Sequence, residues 1–227
     1  MTALAPFLLD LDGTLVDSAR GIANALTRVA NARGLPAVTA GAVRPLVSQG
    51  VETLVGTTLG STAADLAADV AAFRQVLAGL PADPDALYPG AFAAVSGLHS
   101  AGHPIAIVTN KPERLALGLL DQLGLLALCG AVVGGDTCPR AKPDPLPLLH
   151  ALARIAPSVR PGDAIMVGDS DVDGQATLTA GCRFLLFTGG YGPVTQGLYP
   201  VHRRFSEFDK LEAIAASLGH EYCAASA

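Results

Sequence analysis

Two aspartates, Asp10 and Asp12, follow an apolar run near the start of the chain. Residues two apart in an extended segment project from the same face, so these two carboxylates converge. A second apolar run, residues 164–168, leads into the segment that holds Asp169 and Asp173. Three or four carboxylates in one cleft cannot all ionise unless a cation neutralises them. Because the candidate ligand atoms are all oxygens, this chemistry favours Mg²⁺.

Lysine is scarce in this chain, with only Lys111, Lys142 and Lys210 present. Lys142 lies in the segment Ala-Lys-Pro-Asp-Pro, where proline fixes the start of a predicted helix. This position makes Lys142 the candidate for a single fixed cation beside the acidic residues.

The polar residues stand at the ends of predicted strands. Short apolar runs predict strands at residues 7–11, 104–109, 131–134, 164–168 and 183–188, each buried on both faces. Helical patterns follow at 89–101, 112–123, 143–156, 172–180 and 206–218. This alternation predicts an α/β fold, a Rossmann-like parallel sheet with helices on both sides. Ligands of such sheets bind beyond the carboxyl ends of the strands, where Thr109 and Asn110 also lie.

The segment after the first strand breaks this alternation. Residues 17–88 contain helical patterns and no convincing strand. We therefore predict a small all-α cap domain at 17–88, inserted after the first strand of a core domain that comprises residues 1–16 and 89–227.

Charge and composition exclude several classes of protein. The 227 residues include 15 Lys and Arg against 20 Asp and Glu, a formal charge of −5, and no basic cluster that would bind nucleic acid. The first residues lack the basic region of a signal peptide, and no apolar stretch is long enough for a membrane span. The four cysteines show no metal-binding spacing, which is typical of reduced thiols. We expect a cytoplasmic monomer or homodimer that contacts neither nucleic acid nor membrane.

Four short motifs together resemble those of the haloacid dehalogenase superfamily. They are Asp-x-Asp-Gly-Thr at 10–14, Thr-Asn at 109–110, Lys-Pro at 142–143 and Gly-Asp-x-x-x-Asp at 168–173, in that order. The resemblance spans nearly the whole chain. Residues 10–18, 110–113, 135–137 and 139–143 look most like those of phosphoglycolate phosphatases and related phosphatases with a helical cap.

The resemblance implies a role for each acidic residue. Asp10 would be the nucleophile that accepts the phosphoryl group as an aspartyl phosphate. Asp12 would protonate the departing alkoxide and later accept a proton from water, with the neighbouring acids keeping it partly protonated. Mg²⁺ would be bound by Asp10, the backbone carbonyl of Asp12, and Asp169. Asp173 would hold metal-bound waters or Lys142.

The same resemblance places the substrate. Thr109, the backbone N–H of Asn110, and Lys142 would stabilise the charge on the phosphoryl oxygens. In the cap, Arg44, Gln49 and Glu52 either face the substrate or belong to a solvated surface. The cap contains no lysine, which argues against relatives that form a Schiff base there.

Several residues keep two interpretations. Lys111 either assists phosphate binding or is a solvated lysine at a helix start. We interpret Asp171 as favouring a helix N-terminus rather than binding metal, and Ser18 as a helix cap. Residues 189–192 are favoured as a plain turn over a loop that closes on substrate. Residues 174–177 depart from the apolar helix start usual in the superfamily, which questions how that helix packs.

These observations predict a Mg²⁺-dependent phosphatase of a small phosphate monoester, with 2-phosphoglycolate as the favoured substrate. The alternatives are a phosphatase or phosphomutase acting on sugar phosphates or nucleotides. A haloacid dehalogenase is less favoured, because release of halide needs no general acid and Asp12 would then have no function. A catalytically silent phosphate-binding regulator is the remaining alternative.

Overall fold

A computed structural model describes residues 4–225 and contains one six-stranded, all-parallel sheet. The strands are β1 (Phe7–Leu9), β2 (Ile105–Val108), β3 (Ala131–Val133), β4 (Ile165–Gly168), β5 (Arg183–Phe187) and β6 (Arg203–Phe205). Their order across the sheet is β3-β2-β1-β4-β5-β6. The predicted α/β class with a parallel sheet is confirmed. The sixth strand was not predicted from the sequence, because two of its three residues are exposed arginines.

The strand β1 lies between β2 and β4 near the middle of the sheet. Phe7 is in register with Ile105 on one side and with Ile165 on the other. All three residues of β1 are fully buried, as expected for a strand covered on both faces. The three neighbouring strands therefore end at the same edge, and the residues that follow them meet there.

Four helices follow β1 in the chain and pack together. They are α1 (Ala19–Ala32), α2 (Ala40–Val43), α3 (Val51–Leu59) and α4 (Leu66–Ala78), with a 3₁₀ helix at Arg44–Gln49 and another at Pro84–Ala86. In α1, Ile22, Leu26 and Val29 recur at helical spacing and form a buried stripe. This stripe packs against Val55 and Phe73 in a hydrophobic cluster separate from those of the sheet. The packing favours the predicted cap, whose exact boundaries remain a proposal.

Five helices cover the two faces of the sheet. They are α5 (Ala91–Ser100), α6 (Glu113–Gln122), α7 (Leu146–Ile155), α8 (Asp171–Ala180) and α9 (Leu211–Ala225). Alternate strand residues point to opposite faces, so Phe7 and Leu9 belong to the cluster under α5, α6 and α9. Leu8 and Met166 belong to the cluster under α7 and α8. Each fully buried large side chain contributes about 1.5–3 kcal/mol, which makes the strand ends a rigid support for the site.

The packing at the start of α8 explains why residues 174–177 lack the apolar helix start that is usual in the superfamily. A Cβ added at Gly174 would overlap the ring of Tyr199. That ring is fixed, because Tyr199 donates its hydroxyl to Asp171 at 2.8 Å and packs edge-on against Phe184. The helix therefore packs around an aromatic ring where the superfamily pattern suggests a small apolar side chain.

Among the described residues, no helix has both the length and the apolar character that crossing a bilayer requires.

Substituting Gly174→Ala tests this packing. Helix propensity alone would make the variant about 1 kcal/mol more stable. Because the new methyl group meets the Tyr199 ring, we expect it instead to be about 1–3 kcal/mol less stable in urea denaturation. Gly118→Ala in α6 is the matched control, since its added Cβ has no neighbour within 4 Å and should stabilise the protein. Equal stabilisation of both variants would contradict the packing described here.

Candidate active site

The first predicted site residue, Asp10, leaves the central strand at the carboxyl edge of the sheet. Its backbone N–H donates to the carbonyl of Val167 in β4 at 2.9 Å, which fixes the chain direction at this point. The carboxylate is buried, and its Oδ1 accepts a hydrogen bond from Lys142 Nζ at 2.8 Å. The sequence placed these two residues 132 positions apart, and the fold brings them into direct contact.

The ammonium group of Lys142 is held by three oxygen acceptors. Besides Asp10, it donates to Asp173 Oδ1 at 2.7 Å and to the backbone carbonyl of Val108 at 2.7 Å. Burial alone would lower the pKa of Lys142, but the charges of Asp10 and Asp173 outweigh it and raise this pKa. Lys142 is thus a cation held in place by three acceptors, but it is not the single one expected from the sequence, because Lys111 is also buried beside an acidic residue.

The carboxylate of Asp169 is fixed on both oxygens. Oδ1 accepts from the hydroxyl of Thr14 at 3.0 Å, and Oδ2 accepts from the backbone N–H groups of Tyr191 and Gly192 at 3.0 and 2.9 Å. Burial, followed by the charge of Asp173, raises the pKa of Asp169 to about 6, although these hydrogen bonds oppose the shift.

Glycines make this close approach to Asp169 feasible. Gly13 has a positive φ of 88°, which favours glycine, and a Cβ there would lie 2.6 Å from Asp169 Oδ2. A Cβ on Gly190 would overlap the Asp169 side chain as well. Residues 189–192, favoured from the sequence as a plain turn, are therefore a turn whose backbone amides hold a site carboxylate.

Asp173 joins the start of α8 to Lys142. Its Oδ2 accepts from the backbone N–H and the hydroxyl of Ser170, at 3.1 and 2.6 Å, while Oδ1 accepts from Lys142. Ser170 and Asp173 form a capping box that fixes the first turn of the helix. The neighbouring Asp171 points elsewhere and bonds Thr195 and Tyr199. This agrees with its exclusion from the metal ligands.

Three carboxylates meet in one group that fits a metal ion. Oxygens of Asp10, Asp169 and Asp173 lie within 4.8 Å of one another, and all three residues are buried. Among the described residues this is the one such group. Burial, followed by the charge of Asp173, raises the pKa of Asp10 well above its ordinary range, despite the Lys142 ammonium. A buried, all-oxygen donor set with excess negative charge suits a hard divalent cation.

Asp12 lies outside this group and pairs with Lys111. Lys111 Nζ bonds both carboxylate oxygens of Asp12, at 3.0 and 2.9 Å. The two side chains are only 7% and 8% exposed, so Lys111 is not the solvated lysine that one interpretation of the sequence suggested. The sequence analysis considered only the neighbouring acids of Asp12, and the structure adds an ammonium group in direct contact with its carboxylate.

The residues after β2 connect the site to the cap. The hydroxyl of Thr109 accepts from the backbone N–H of Lys111 at 3.2 Å. Asn110 Nδ2 donates to the carbonyl of Ser48 in the cap at 2.9 Å and to the carbonyl of Lys142 at 2.8 Å. One amide group therefore links the cap, β2 and the loop that holds Lys142, a contact that the sequence did not reveal.

The predicted cap residues make contacts of their own. Arg44 donates to Asp17 Oδ2 at 3.1 Å, and its guanidinium lies 5.7 Å from the centre of the Tyr191 ring. Gln49 Nε2 donates to the carbonyl of Pro45 at 2.8 Å. A substrate-binding role for Arg44 and Gln49 stays a prediction.

Glu52 and Ser18 also contact other side chains within or near the cap. Glu52 lies 3.5 Å from Arg74 on the cap surface. The hydroxyl of Ser18 lies within hydrogen-bond distance of the Tyr191 hydroxyl, at 3.2 Å, and makes no capping bond. Ser18 therefore stands at the N-cap position of α1, as interpreted from the sequence, but its side chain does not cap the helix.

Little space remains between the cap and the site. Two cavities there measure about 10 and 20 Å³, which is room for about one water molecule each. The smaller is lined by Asp10, Asp12 and Lys142, and Lys111 lines both. A larger cleft of about 520 Å³ also reaches Lys111. The cap therefore lies close over Asp10, Asp12 and Lys142, while the larger cleft borders Lys111.

Comparisons with known proteins agree in sequence and fold. The haloacid dehalogenase-like hydrolase family matches residues 7–181. A phosphoglycolate phosphatase of Cereibacter sphaeroides is 38% identical over 209 residues, which cover 90% of this chain and 94% of that protein. Another, from Cupriavidus necator, is 36% identical over 219 residues, which cover 93% and 91%. The structure of a haloacid dehalogenase-like family hydrolase from Streptococcus pneumoniae has a TM-score of 0.77 at 24% identity, and covers 94% of this chain and 99% of that one.

The raised pKa of Asp169 gives a test of the metal group. Because this carboxyl holds its proton more tightly when folded, its contribution to stability is present at low pH and is lost as the pH rises through about 6. A divalent cation should restore that loss. We expect Mg²⁺ to raise the melting temperature strongly at about pH 7.5 and weakly at about pH 4.5.

Two variants sharpen this measurement. Asp169→Asn should lose most of the Mg²⁺-induced shift at the higher pH, whereas Asp121→Asn, an exposed position in α6, should keep it. A shift of equal size at both pH values, or one retained by Asp169→Asn, would contradict the assignment of this group as a metal site.

Proposed function

The chain belongs to the haloacid dehalogenase-like hydrolase family, and we propose that it is a Mg²⁺-dependent phosphoglycolate phosphatase that works through an aspartyl phosphate on Asp10. The chain is a phosphoric monoester hydrolase. What we propose is the identity of its metal, of its covalent intermediate and of its substrate. The observation that carries it is the buried Asp10 carboxylate, which lies against the Lys142 ammonium and beside two further carboxylates.

The metal would be held by the carboxylates of Asp10 and Asp169 and by the backbone carbonyl of Asp12. Asp173 would orient Lys142, to which it is bonded, and metal-bound waters. When bound, Mg²⁺ would neutralise the acidic group and draw negative charge from the phosphoryl oxygens. The fit rests on the donor chemistry, since buried carboxylates within 4.8 Å of one another need a cation.

The reaction would proceed in two displacements on phosphorus. In the first, an Asp10 oxygen bonds to phosphorus as the ester P–O bond breaks, and Asp12, once released from Lys111 and protonated from solvent, gives that proton to the leaving oxygen. In the second, Asp12 takes a proton from water as the water oxygen bonds to phosphorus and the bond to Asp10 breaks. The products are the free alcohol, inorganic phosphate and an unchanged enzyme.

Fixed positive charge would stabilise both displacements. Lys142 cannot move away, because three acceptors hold its ammonium and burial keeps water out. Thr109 and the backbone N–H of Asn110 stand at the same sheet edge and would donate to the phosphoryl oxygens. Donors that are already oriented need no rearrangement as negative charge develops, which lowers the barrier.

The relatives support 2-phosphoglycolate as the substrate. Those named phosphoglycolate phosphatases share about a third of their residues with this chain over nine-tenths of its length. Phosphate release measured across 2-phosphoglycolate, sugar phosphates and nucleotides, with Mg²⁺ and with chelator, tests this choice directly. A preference for any sugar phosphate would overturn it.

Asp10→Asn tests the nucleophile. The amide cannot form the acyl phosphate, so we expect the rate to fall by at least about 10³-fold for every phosphate ester tested. Asp121→Asn makes the same chemical change at an exposed position and should leave the rate unchanged. Activity retained by Asp10→Asn would rule out this mechanism.

Asp12→Asn tests the general acid, through the dependence of its effect on the leaving group. An alkoxide such as glycolate needs a proton as it departs. The variant should therefore hydrolyse 2-phosphoglycolate about 10²–10⁴-fold more slowly than wild type. A p-nitrophenolate departs without a proton, so hydrolysis of the aryl phosphate should slow much less in its first step. Burst kinetics separate that step from the second displacement. The same loss for both esters in the burst phase would show that Asp12 is not the acid.

A further inference from the structure

Lys111 is a buried cation to which the proposed two-step mechanism assigns no role. It follows Thr109 and Asn110 at the end of β2, and its ammonium group bonds both oxygens of Asp12. Only 7% of its side chain is exposed. A lysine buried to this extent needs an anionic partner, and Asp12 provides one in this structure.

The position of Lys111 relates to the leaving group rather than to the phosphoryl group. Phosphorus would bond to Asp10, and Asp12 would reach the ester oxygen, so the leaving group extends beyond Asp12. Lys111 Nζ lies there, 2.9 Å from the nearer Asp12 oxygen. The other buried lysine, Lys142, is occupied by Asp10, Asp173 and Val108. Lys111 is therefore the buried lysine available to a group attached to the leaving oxygen, although Arg28 and Arg114 also line the cleft that reaches it.

The cavity that Lys111 shares with Asp12 is mainly apolar, whereas the 520 Å³ cleft on the other side of Lys111 also has polar side chains in its lining. Of the described residues that line the 20 Å³ cavity, three are polar, namely Asp12, Asn110 and Lys111. The remainder are apolar side chains from α1, α3, α4 and α6 and the segments beside them, such as Ile22, Leu54, Phe73 and Leu115. Sugar hydroxyls placed here would lose hydrogen bonds to water without finding partners, which is costly.

We propose that Lys111 is the specificity residue of this site. Its ammonium group would leave the Asp12 carboxylate and bind the carboxylate of the leaving group instead. This inference rests on the proposed function and assigns the substrate class as phosphate esters of small hydroxy acids. The exchange also frees Asp12 to face the ester oxygen. A neutral ester of the same size would leave Lys111 on Asp12 and would be hydrolysed less efficiently.

The test compares 2-phosphoglycolate with its neutral isostere, 2-phosphoglycolamide, in wild type and Lys111→Met. A hydrogen-bonded charge pair is worth about 10–100-fold, so we expect wild type to prefer the acid by at least that ratio of kcat/KM. In Lys111→Met the ratio should fall about 10-fold or more, whatever the absolute rates. Inhibition by free glycolate should weaken in parallel. Lys111→Arg, which retains the charge, should keep most of the preference.

Lys210→Met is the matched control, because it removes one lysine whose side chain is 57% exposed and paired with Glu207 on the surface. In this control, the ratio of kcat/KM for 2-phosphoglycolate to that for 2-phosphoglycolamide should equal the wild-type ratio. A Lys111→Met variant that slows both esters equally would overturn the inference, since Lys111 would then only position Asp12. Should that variant not fold, Lys111→Gln carries the same expectation.

The two proposals fail in different ways. If wild type hydrolyses other phosphate esters but not 2-phosphoglycolate, the proposed substrate is wrong and the role of Lys111 falls with it. If wild type hydrolyses 2-phosphoglycolate and the ratio survives in Lys111→Met, the substrate stands and only the role of Lys111 is overturned.

Discussion

Repulsion among buried carboxylates is the constraint on which the rest of the structure depends. Asp10, Asp169 and Asp173 lie within 4.8 Å of one another in a site that excludes water, and burial raises the pKa of Asp10. The fold supplies one fixed cation, Lys142, bonded to two of the three. The negative charge left over is what would attract the proposed divalent cation and, through it, a phosphate ester. Each nearby element serves to hold this unfavourable arrangement in place.

The supports of the site are mostly backbone groups and small residues. Amides of the 189–192 turn hold Asp169, a capping box holds Asp173, and glycine at position 13 permits the close approach. Such contacts fix a carboxylate to within a fraction of an ångström, which the proposed displacement at phosphorus would require. The cap adds a different control. Through Asn110 and Ser48 it is bonded to the same loop that carries Lys142, so cap closure and the arrangement of the site are linked.

Much of the fold could be predicted from short apolar runs and the residues after them. Five of the six strands, their parallel arrangement and the helical segment after β1 follow from the alternation of strand and helix. The resemblance to the haloacid dehalogenase superfamily, drawn from four motifs, is confirmed. β6 escaped prediction because an edge strand needs little apolar character, and Arg203 and Arg204 are exposed. Lys111 kept two interpretations because burial of a lysine depends on what covers it, and here that is the cap.

By itself the sequence determined which chemical groups are present and at which end of the sheet they lie. Strand periodicity and the order of motifs suffice for that, since both are local properties of the chain. Only the tertiary structure decided which groups touch. It paired Lys142 with Asp10 and Asp173, and it placed Asp12 against Lys111. The physical reason is that ion pairing and burial depend on distances of a few ångströms between residues far apart in the chain.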